Sequence, residues 1–85
     1  MLNMEYVPEL LVLAETLSYT ETARRLHMSH SAVSRHVDAV ERALGARLFN
    51  RTTRKVELTD AGRAVIADFS AMQHHYTHVL DELGR

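Results

Sequence analysis

The chain has 85 residues, a formal net charge of -1 and no cysteine. This length fits a single small domain, and the absence of cysteine excludes a disulfide framework and thiolate metal ligands. Because no apolar run resembles a signal peptide or a membrane span, we expect a cytoplasmic protein.

The charges are distributed unevenly along the chain. Residues 1–19 contain three glutamates and no lysine or arginine, residues 20–63 have a net charge of +4 from nine basic and five acidic side chains, and residues 64–85 have a net charge of -2. A basic centre between acidic ends can meet phosphate groups, although many solvated surfaces look similar. The charge distribution is therefore compatible with nucleic-acid binding and does not establish it.

An amphipathic helix is predicted near the start of the chain. Its apolar residues recur at spacings of four, three and four, the period of one helical face, at Tyr6, Leu10, Leu13 and Leu17. Pro8 would remove a backbone hydrogen bond if the helix began at Asn3. We therefore expect regular helix only from Val7 or Pro8, or an irregularity at that point.

Two further helices are predicted on either side of a short turn. Ser18 begins the capping-box pattern Ser-Tyr-Thr-Glu and opens the short helical run TETARRL. His27 follows as a candidate for a left-handed residue at the helix end. Ser29 is a second N-cap, and Gly45 ends the helix that follows. The apolar face of this helix consists of Val33, Val37, Val40 and Leu44. Two helices separated by about three residues predict a helix-turn-helix.

Residues 47–59 change to a period of two. Val56 and Leu58 alternate with polar residues, which predicts a short strand with Leu48 and Phe49 as its partner. The intervening run NRTTRK is a basic hairpin tip. Because this tip contains no glycine, we expect a wide loop rather than a two-residue turn.

Thr59 is the predicted N-cap of a long last helix. Its apolar residues repeat at alternating spacings of four and three over almost three heptads, at Val65, Phe69, Met72, Tyr76, Val79 and Leu83. Packing against the first helix of the same chain can cover the early part of this seam. The remaining sequence is too short to bury Tyr76 through Leu83, so we expect a homodimer through this helix.

The run MSHSAVSRHV, at residues 28–37, raises the alternative of a catalytic or metal site. His30, Ser34 and Asp38 are spaced four residues apart, but a catalytic histidine must lie between nucleophile and carboxylate, and here the serine lies there. His74 and His78 have the spacing of a helical metal pair, but no third ligand is evident and both fall on the outer face of the heptad. We therefore expect no enzyme activity, no catalytic residue, no bound metal and no cofactor.

The remaining interpretation is a surface that reads DNA. Helix-turn-helix proteins place the N-terminal half of their second helix in the major groove. In this chain a polar set lies opposite the valine stripe and mostly in that half, at His30, Ser31, Ser34, Arg35 and Asp38. Arginine can donate twice to guanine, and serine and histidine can bond to several bases. Any amphipathic helix has an exposed polar face, but the basic hairpin and the preceding short helix favour DNA binding.

The run AETLSYTETARRLHMSHSAVSRHVDAVERALGARLFNRTTRKVELTDAG resembles the N-terminal DNA-binding domain of the LysR-type transcriptional regulators. The most specific segments are TARRLHMS, SAVSRHV, VERALGARLF and NRTTRKVELTDAG, together with their spacing. The resemblance implies a mainly α fold, a winged helix-turn-helix with a three-helix core and a two-stranded wing over residues 1–58, followed by a linker and dimerisation helix over residues 59–85. It also implies a bacterial regulator, whose full-length members carry a larger effector-binding domain that is absent from this chain.

Carried over by position, the resemblance implies a recognition helix at about residues 30–44 in the major groove and a wing at about residues 50–56 at the minor groove. The matching residues are His30, Ser31, Ser34 and Arg35 for base contacts, Thr20 and Arg51 for phosphates, and Arg54 for the minor groove, to which we add Lys55 for phosphate. Five positions depart from the usual family pattern. Leu17 replaces a frequent glycine, His30 a glutamine and Ser31 a proline, Asp38 stands where a basic or polar residue is commoner, and Pro8 is unexpected.

We expect two partners, double-stranded DNA with a pseudo-palindromic site and a second copy of the chain. A full-length protein could form higher oligomers. We expect no contact with a membrane. An alternative of another class is a helix-turn-helix that serves only for dimerisation or protein docking, without specific DNA binding. The slightly acidic balance of the chain and Asp38, a candidate partner for Arg35 or Arg42, fit that alternative. A steep salt dependence of DNA binding distinguishes the two.

Overall fold

The computed structural model describes residues 2–52 and 54–84, and it is mainly helical. A single 3-10 turn precedes four α-helices and a two-stranded hairpin. The turn spans Met4–Tyr6, and the elements that follow are α1 (Val7–Thr16), α2 (Tyr19–Leu26), α3 (His30–Leu44), β1 (Phe49–Arg51), β2 (Val56–Leu58) and α4 (Asp60–Glu82). The predicted winged helix-turn-helix with a long C-terminal helix is confirmed. None of the helices in the described residues has the length and hydropathy needed to cross a membrane.

The start of the first helix follows the constraint that Pro8 imposes. The Asn3 side chain accepts the Glu5 N–H and caps the 3-10 turn, and α1 begins only at Val7, with Pro8 in its first turn. Proline is tolerated there because the first N–H groups of a helix have no partner inside the helix. The predicted irregularity before a late helix start is confirmed.

Hydroxyl side chains cap the next three helices as the sequence predicted. Ser18 Oγ accepts the Glu21 N–H at 3.0 Å, Ser29 Oγ accepts the Ala32 N–H at 3.1 Å, and Thr59 Oγ1 accepts the Gly62 N–H at 2.8 Å. The capping box at Ser18 is only half formed, because the Glu21 carboxylate pairs with Arg24. The Ser18 N–H donates instead to Thr16 Oγ1, at 3.1 Å. The prediction that the Glu21 side chain accepts the Ser18 N–H in return was therefore wrong.

Three helices end in a left-handed residue, which turns the chain sharply toward the next element. Gly45 has φ 68°, His27 has φ 55° and Leu17 has φ 52°. The prediction for His27 is confirmed. The assignment of Leu17 to the apolar stripe was wrong: α1 ends at Thr16, and the Leu17 side chain is 41% exposed. A left-handed conformation is unfavourable for a branched apolar residue, so this position carries local strain.

The core lies between α1, α2, α3, the start of the hairpin and the first turns of α4. Leu10 and Leu13 from α1 meet the valine face of α3 and the residues leading into β1. The fully buried side chains are Leu10, Leu13, Thr22, Val33, Val37, Val40, Leu48 and Phe49. Packing this apolar face inward leaves the polar face of α3 on the outside.

The hairpin forms the wing. β1 and β2 are antiparallel, with Phe49 opposite Leu58 and Arg51 opposite Val56. Thr52 organises the loop, since its Oγ1 accepts the N–H groups of Arg54 and Lys55, both at 3.2 Å. The Thr52 N–H also donates to the Lys55 carbonyl at 2.9 Å, which continues the strand register to this pair, so the expectation of a wide loop was wrong. Thr53 lies outside the described residues.

The helix α4 belongs to the core at its start and leaves it after about three turns. Gly62 lies against the Leu48 backbone, where an added Cβ would come within 2.0 Å of the carbonyl oxygen. Val65 and Phe69 pack against the core, and Phe69 is only 7% exposed. The first two positions of the predicted dimer seam are therefore occupied by intrachain packing.

Candidate nucleic-acid interface

The polar face of α3 is exposed on the side opposite the valine stripe. His30, Ser31 and Arg35 are exposed, and Ser34 is half-buried. The Ser31 hydroxyl lies 3.4 Å from the Ser29 hydroxyl that caps the helix. All four candidate base-reading residues thus lie in the first six residues of α3, on a surface that a major groove can reach.

The wing and the start of α2 extend this face into one open groove. Its lining consists of Leu17, Ser18, Tyr19, Thr20, His30, Arg51, Thr52, Arg54, Lys55 and Val56. Five of the eight predicted DNA-binding residues are in this set, and the described residues that line the groove include three cationic side chains and no carboxylate. Anionic phosphate is attracted to such a lining.

Arg51 links the wing to α3. Its Nη2 donates to Ser34 Oγ at 3.0 Å, and its guanidinium carbon lies 4.5 Å from the centre of the Tyr19 ring. The Tyr19 ring also contacts His30, with ring centres 5.5 Å apart. Burial raises the pKa of the Tyr19 hydroxyl, and the nearby Arg51 opposes that rise. Sequence reasoning treated these residues separately, whereas the fold brings them into one cluster.

The basic side chains of the wing differ in their surroundings. Lys55 Nζ lies 2.6 Å from the Glu57 carboxylate, and this hydrogen bond raises the pKa of Lys55 and lowers the pKa of Glu57. The Arg54 side chain is exposed in the loop. Since the exposed Lys55–Glu57 pair is weak and screened by salt, Lys55 can exchange Glu57 for a phosphate at little cost.

A carboxylate that the sequence analysis did not single out fixes the base of the wing. Glu41 Oε2 accepts the backbone N–H groups of Leu48 at 2.7 Å and Phe49 at 3.1 Å. The only available signal was a glutamate seven residues before an apolar pair, which is too general to identify such an anchor.

A second unpredicted contact joins α3 to α1. His36 Nδ1 lies 2.8 Å from one Glu9 carboxylate oxygen and 2.9 Å from the other, and the ring of His36 stacks on Tyr6 with centres 4.0 Å apart. Glu9 is nearly buried, with 9% of its surface exposed. The contact fixes the rotation of α3 about its axis, and hence the direction in which its polar face points.

His30, Asp38, His74 and His78, weighed above as parts of a chemical site, are exposed. Among residues 2–52 and 54–84, no three histidine or carboxylate side chains are close enough to hold a metal ion. His78 pairs with Glu82 at 3.0 Å on the exposed side of α4. Asp38 forms no ion pair with Arg35, Arg42 or any other described residue, so the prediction that it pairs with one of these arginines was wrong.

The later part of the α4 seam is an apolar stripe on the surface. Its exposed fractions are 46% for Met72, 61% for Tyr76, 49% for Val79 and 64% for Leu83. Beside it, Met4 and Val7 form an apolar groove with Met72 and Tyr76. A contiguous set of large exposed apolar side chains marks an interaction surface more often than a solvated one.

Comparison with known proteins places these features among bacterial regulators. The family model described as "Bacterial regulatory helix-turn-helix protein, lysR family" matches residues 9–63. The chain is 44% identical over 73 residues to the HTH-type transcriptional regulator PgrR of Escherichia coli, covering 86% of this chain and 24% of PgrR. It is 33% identical over 86 residues to the probable regulator LtrA of Klebsiella pneumoniae, covering 98% of this chain and 28% of LtrA. The chain thus spans about a quarter of the length of these curated relatives.

The fold is shared with solved DNA-binding domains, of which two are compared with this chain. The CbnR DNA-binding domain, crystallised as a complex with DNA, superposes with a TM-score of 0.89 at 29% identity, covering 94% of this chain and 92% of that domain. The BenM DNA-binding domain superposes with a TM-score of 0.91 at 20% identity, covering 98% of this chain and 93% of that domain. The winged helix, including the long last helix, is therefore an architecture found in DNA-binding domains.

Proposed function

This chain belongs to the LysR family of bacterial helix-turn-helix regulatory proteins, and we propose that it is the sequence-specific DNA-reading domain of a transcriptional regulator. The observation that carries the proposal is the continuity of the polar face of α3 with the carboxylate-free cationic groove. The DNA complex of the CbnR domain, which has the same fold, supports it. We propose no catalytic role and a cytoplasmic location, where the bacterial chromosome is accessible.

The proposed contacts divide into those that read bases and those that hold the DNA backbone. His30, Ser31, Ser34 and Arg35 face base edges in the major groove, because they project from the N-terminal half of α3. Phosphate contacts come from Thr20, Arg51 and Lys55 around the groove, and Arg54 at the wing tip reaches the adjacent minor groove. In this scheme residues 1–58 hold the reading surface, and residues 59–85 connect it to a partner.

The direct test compares two exposed arginines. Arg35→Ala should cost about 1 to 3 kcal/mol on the preferred DNA site and relax the base preference at one position. Arg25→Ala is the matched control, because Arg25 is exposed on α2 and lies 3.7 Å from Glu15, on the side of α1 rather than in the groove. A preferred site obtained by in vitro selection and measured by fluorescence anisotropy supplies the readout.

Salt titration tests whether DNA binding is electrostatic as the groove requires. Each phosphate contact should contribute a log–log slope of about -0.9 in the salt dependence of the affinity. A wild-type chain with no preference over random DNA and a flat salt response would contradict the proposal and favour a protein-docking module. If Arg35→Ala lowers the affinity equally on all DNA sequences, Arg35 contacts phosphate and does not read a base.

We further propose that the chain binds a pseudo-palindromic site as a homodimer, through the exposed part of the α4 stripe. Tyr76→Asp places a charge on the stripe, and His74→Asp places the same charge on the outer face of the same helix. Sedimentation equilibrium should show a weakened dimer for the first variant and an unchanged one for the second. If the Tyr76→Asp chain sediments as the wild-type dimer does, the stripe is not the dimer interface. Phe69 is unsuitable for this test because it is part of the core.

A further inference from the structure

Three side chains from three different elements meet at the reading surface. Tyr19 comes from α2, Ser34 from α3 and Arg51 from β1. We propose that Arg51, held by the Tyr19 ring, makes the Ser34 hydroxyl a hydrogen-bond donor toward DNA and so selects a base with an acceptor at that position. This inference rests on the proposed DNA-reading function and assigns Arg51 a role in sequence preference, in addition to its contact with phosphate.

The position of Arg51 is fixed on two sides. The Tyr19 ring is 6% exposed and is held by the core, and the guanidinium lies over it at 4.5 Å from the ring centre. A guanidinium at this distance from an aromatic face is attracted by the π electrons. Pairing of Arg51 with Val56 fixes the backbone on the other side. Arg51 is therefore placed against α3 before DNA arrives.

The bond between Arg51 and Ser34 occupies one of the two lone pairs of the hydroxyl and leaves its hydrogen free. An arginine side chain has donors and no acceptor, so Ser34 Oγ must accept from Arg51 Nη2. Within residues 2–52 and 54–84 the Ser34 hydroxyl makes no other hydrogen bond, and in particular does not bond back to the His30 carbonyl one turn earlier. Its hydrogen is thus available, and a hydroxyl that accepts from a cation is polarised into a better donor and a poorer acceptor.

A hydroxyl that donates can distinguish between bases in the major groove. Guanine offers two acceptors there, at O6 and N7, thymine offers O4 and adenine offers N7, whereas cytosine offers only the N4 donor. A Ser34 that donates should therefore favour guanine on the strand it faces and disfavour cytosine. Without Arg51 the hydroxyl can rotate and accept, so that the discrimination weakens.

The test compares base preferences rather than total affinities. The chain is subjected to in vitro selection, and affinities are then measured on the selected site and on all single-base variants of it. Ser34→Ala should lower the preference at one base position by about fivefold, the value for one hydrogen bond of about 1 kcal/mol. Arg51→Met should lower the preference at the same position to the same degree, in addition to a uniform loss on every sequence. The double variant should lower the preference no further.

Two controls separate this role from simple charge loss. Arg54→Met removes the same charge from the same wing without touching Ser34, and it should leave the preference at the Ser34 position unchanged. Tyr19→Phe keeps the ring beneath Arg51 and should also keep the preference, whereas Tyr19→Leu, checked for folding by circular dichroism, should lose it.

The outcomes distinguish this inference from the function on which it rests. If the wild-type chain selects no sequence over random DNA, the proposed function is wrong and the inference with it. If the wild-type chain selects a site, but Arg51→Met weakens all sequences equally and retains the preference at the Ser34 position, the function stands and the inference is overturned. A Ser34→Ala chain with an unchanged base preference overturns it as well.

Discussion

Removing the Glu41 carboxylate should destabilise this domain more than removing any exposed acidic side chain. Glu41 accepts two backbone N–H groups, from Leu48 and Phe49, and these residues are 0% and 1% exposed. In Glu41→Ala both donors are buried without a partner.

The size of the effect follows from those two donors. A buried backbone donor that loses its partner costs about 1 to 3 kcal/mol, and hydrogen bonds to a charged acceptor lie toward the upper end. Because Glu41 itself is half-buried and some solvent can enter, we expect a total of about 2 to 4 kcal/mol. A domain of this size has about 5 to 10 kcal/mol of stability, so the variant should lose a large fraction of it.

Chemical denaturation followed by circular dichroism measures the change, with two controls. Glu41→Gln keeps one acceptor oxygen without the charge and should lose about 1 kcal/mol, since charge-assisted bonds are roughly twice as strong as neutral ones. Asp38→Ala removes an exposed carboxylate from the preceding turn of α3 and should change the free energy of unfolding by less than about 0.5 kcal/mol. If the free energy of unfolding of Glu41→Ala lies within about 0.5 kcal/mol of the wild-type value, Glu41 does not anchor the wing.

Three further changes test other parts of the structure by the same measurement. Gly62→Ala should destabilise by about 2 kcal/mol despite the better helix propensity of alanine, because the new Cβ would come within 2.0 Å of the Leu48 carbonyl oxygen; an unchanged or raised stability would show that α4 can move away freely. His27→Gly should stabilise by about 0.5 to 1 kcal/mol, since glycine adopts the left-handed φ of 55° without the steric cost, and a lower stability would contradict strain at that turn. The pKa of Tyr19 is raised in the folded state, so the unfolded chain ionises first and stability should fall as the pH rises above about 10. Tyr19→Phe should show a shallower fall between pH 9 and 11, and an identical pH profile would exclude Tyr19 as the cause.

The sequence by itself determined the local elements and their order. The caps at Ser18, Ser29 and Thr59 were predicted because a hydroxyl before an apolar-periodic run satisfies N–H groups only two or three residues away. The late start at Val7 follows from proline chemistry within one turn. The left-handed end of α2 at His27 follows from its place after the last apolar residue of the helix. Each of these features depends on neighbours along the chain, so periodicity and residue type are sufficient to predict them.

The tertiary structure decided which polar side chains act together and which apolar ones stay exposed. Arg51 bonds to Ser34 across 17 residues and His36 to Glu9 across 27, and no periodicity encodes such distances. The seam of α4 reads as one uniform heptad pattern in the sequence. Only the fold divides it after Phe69, because the core is wide enough to cover about three turns of a 23-residue helix and leaves the apolar side chains of the later turns exposed. Sequence therefore predicts a face of α3 that can read DNA, whereas long-range packing decides how its hydroxyl and guanidinium groups are presented.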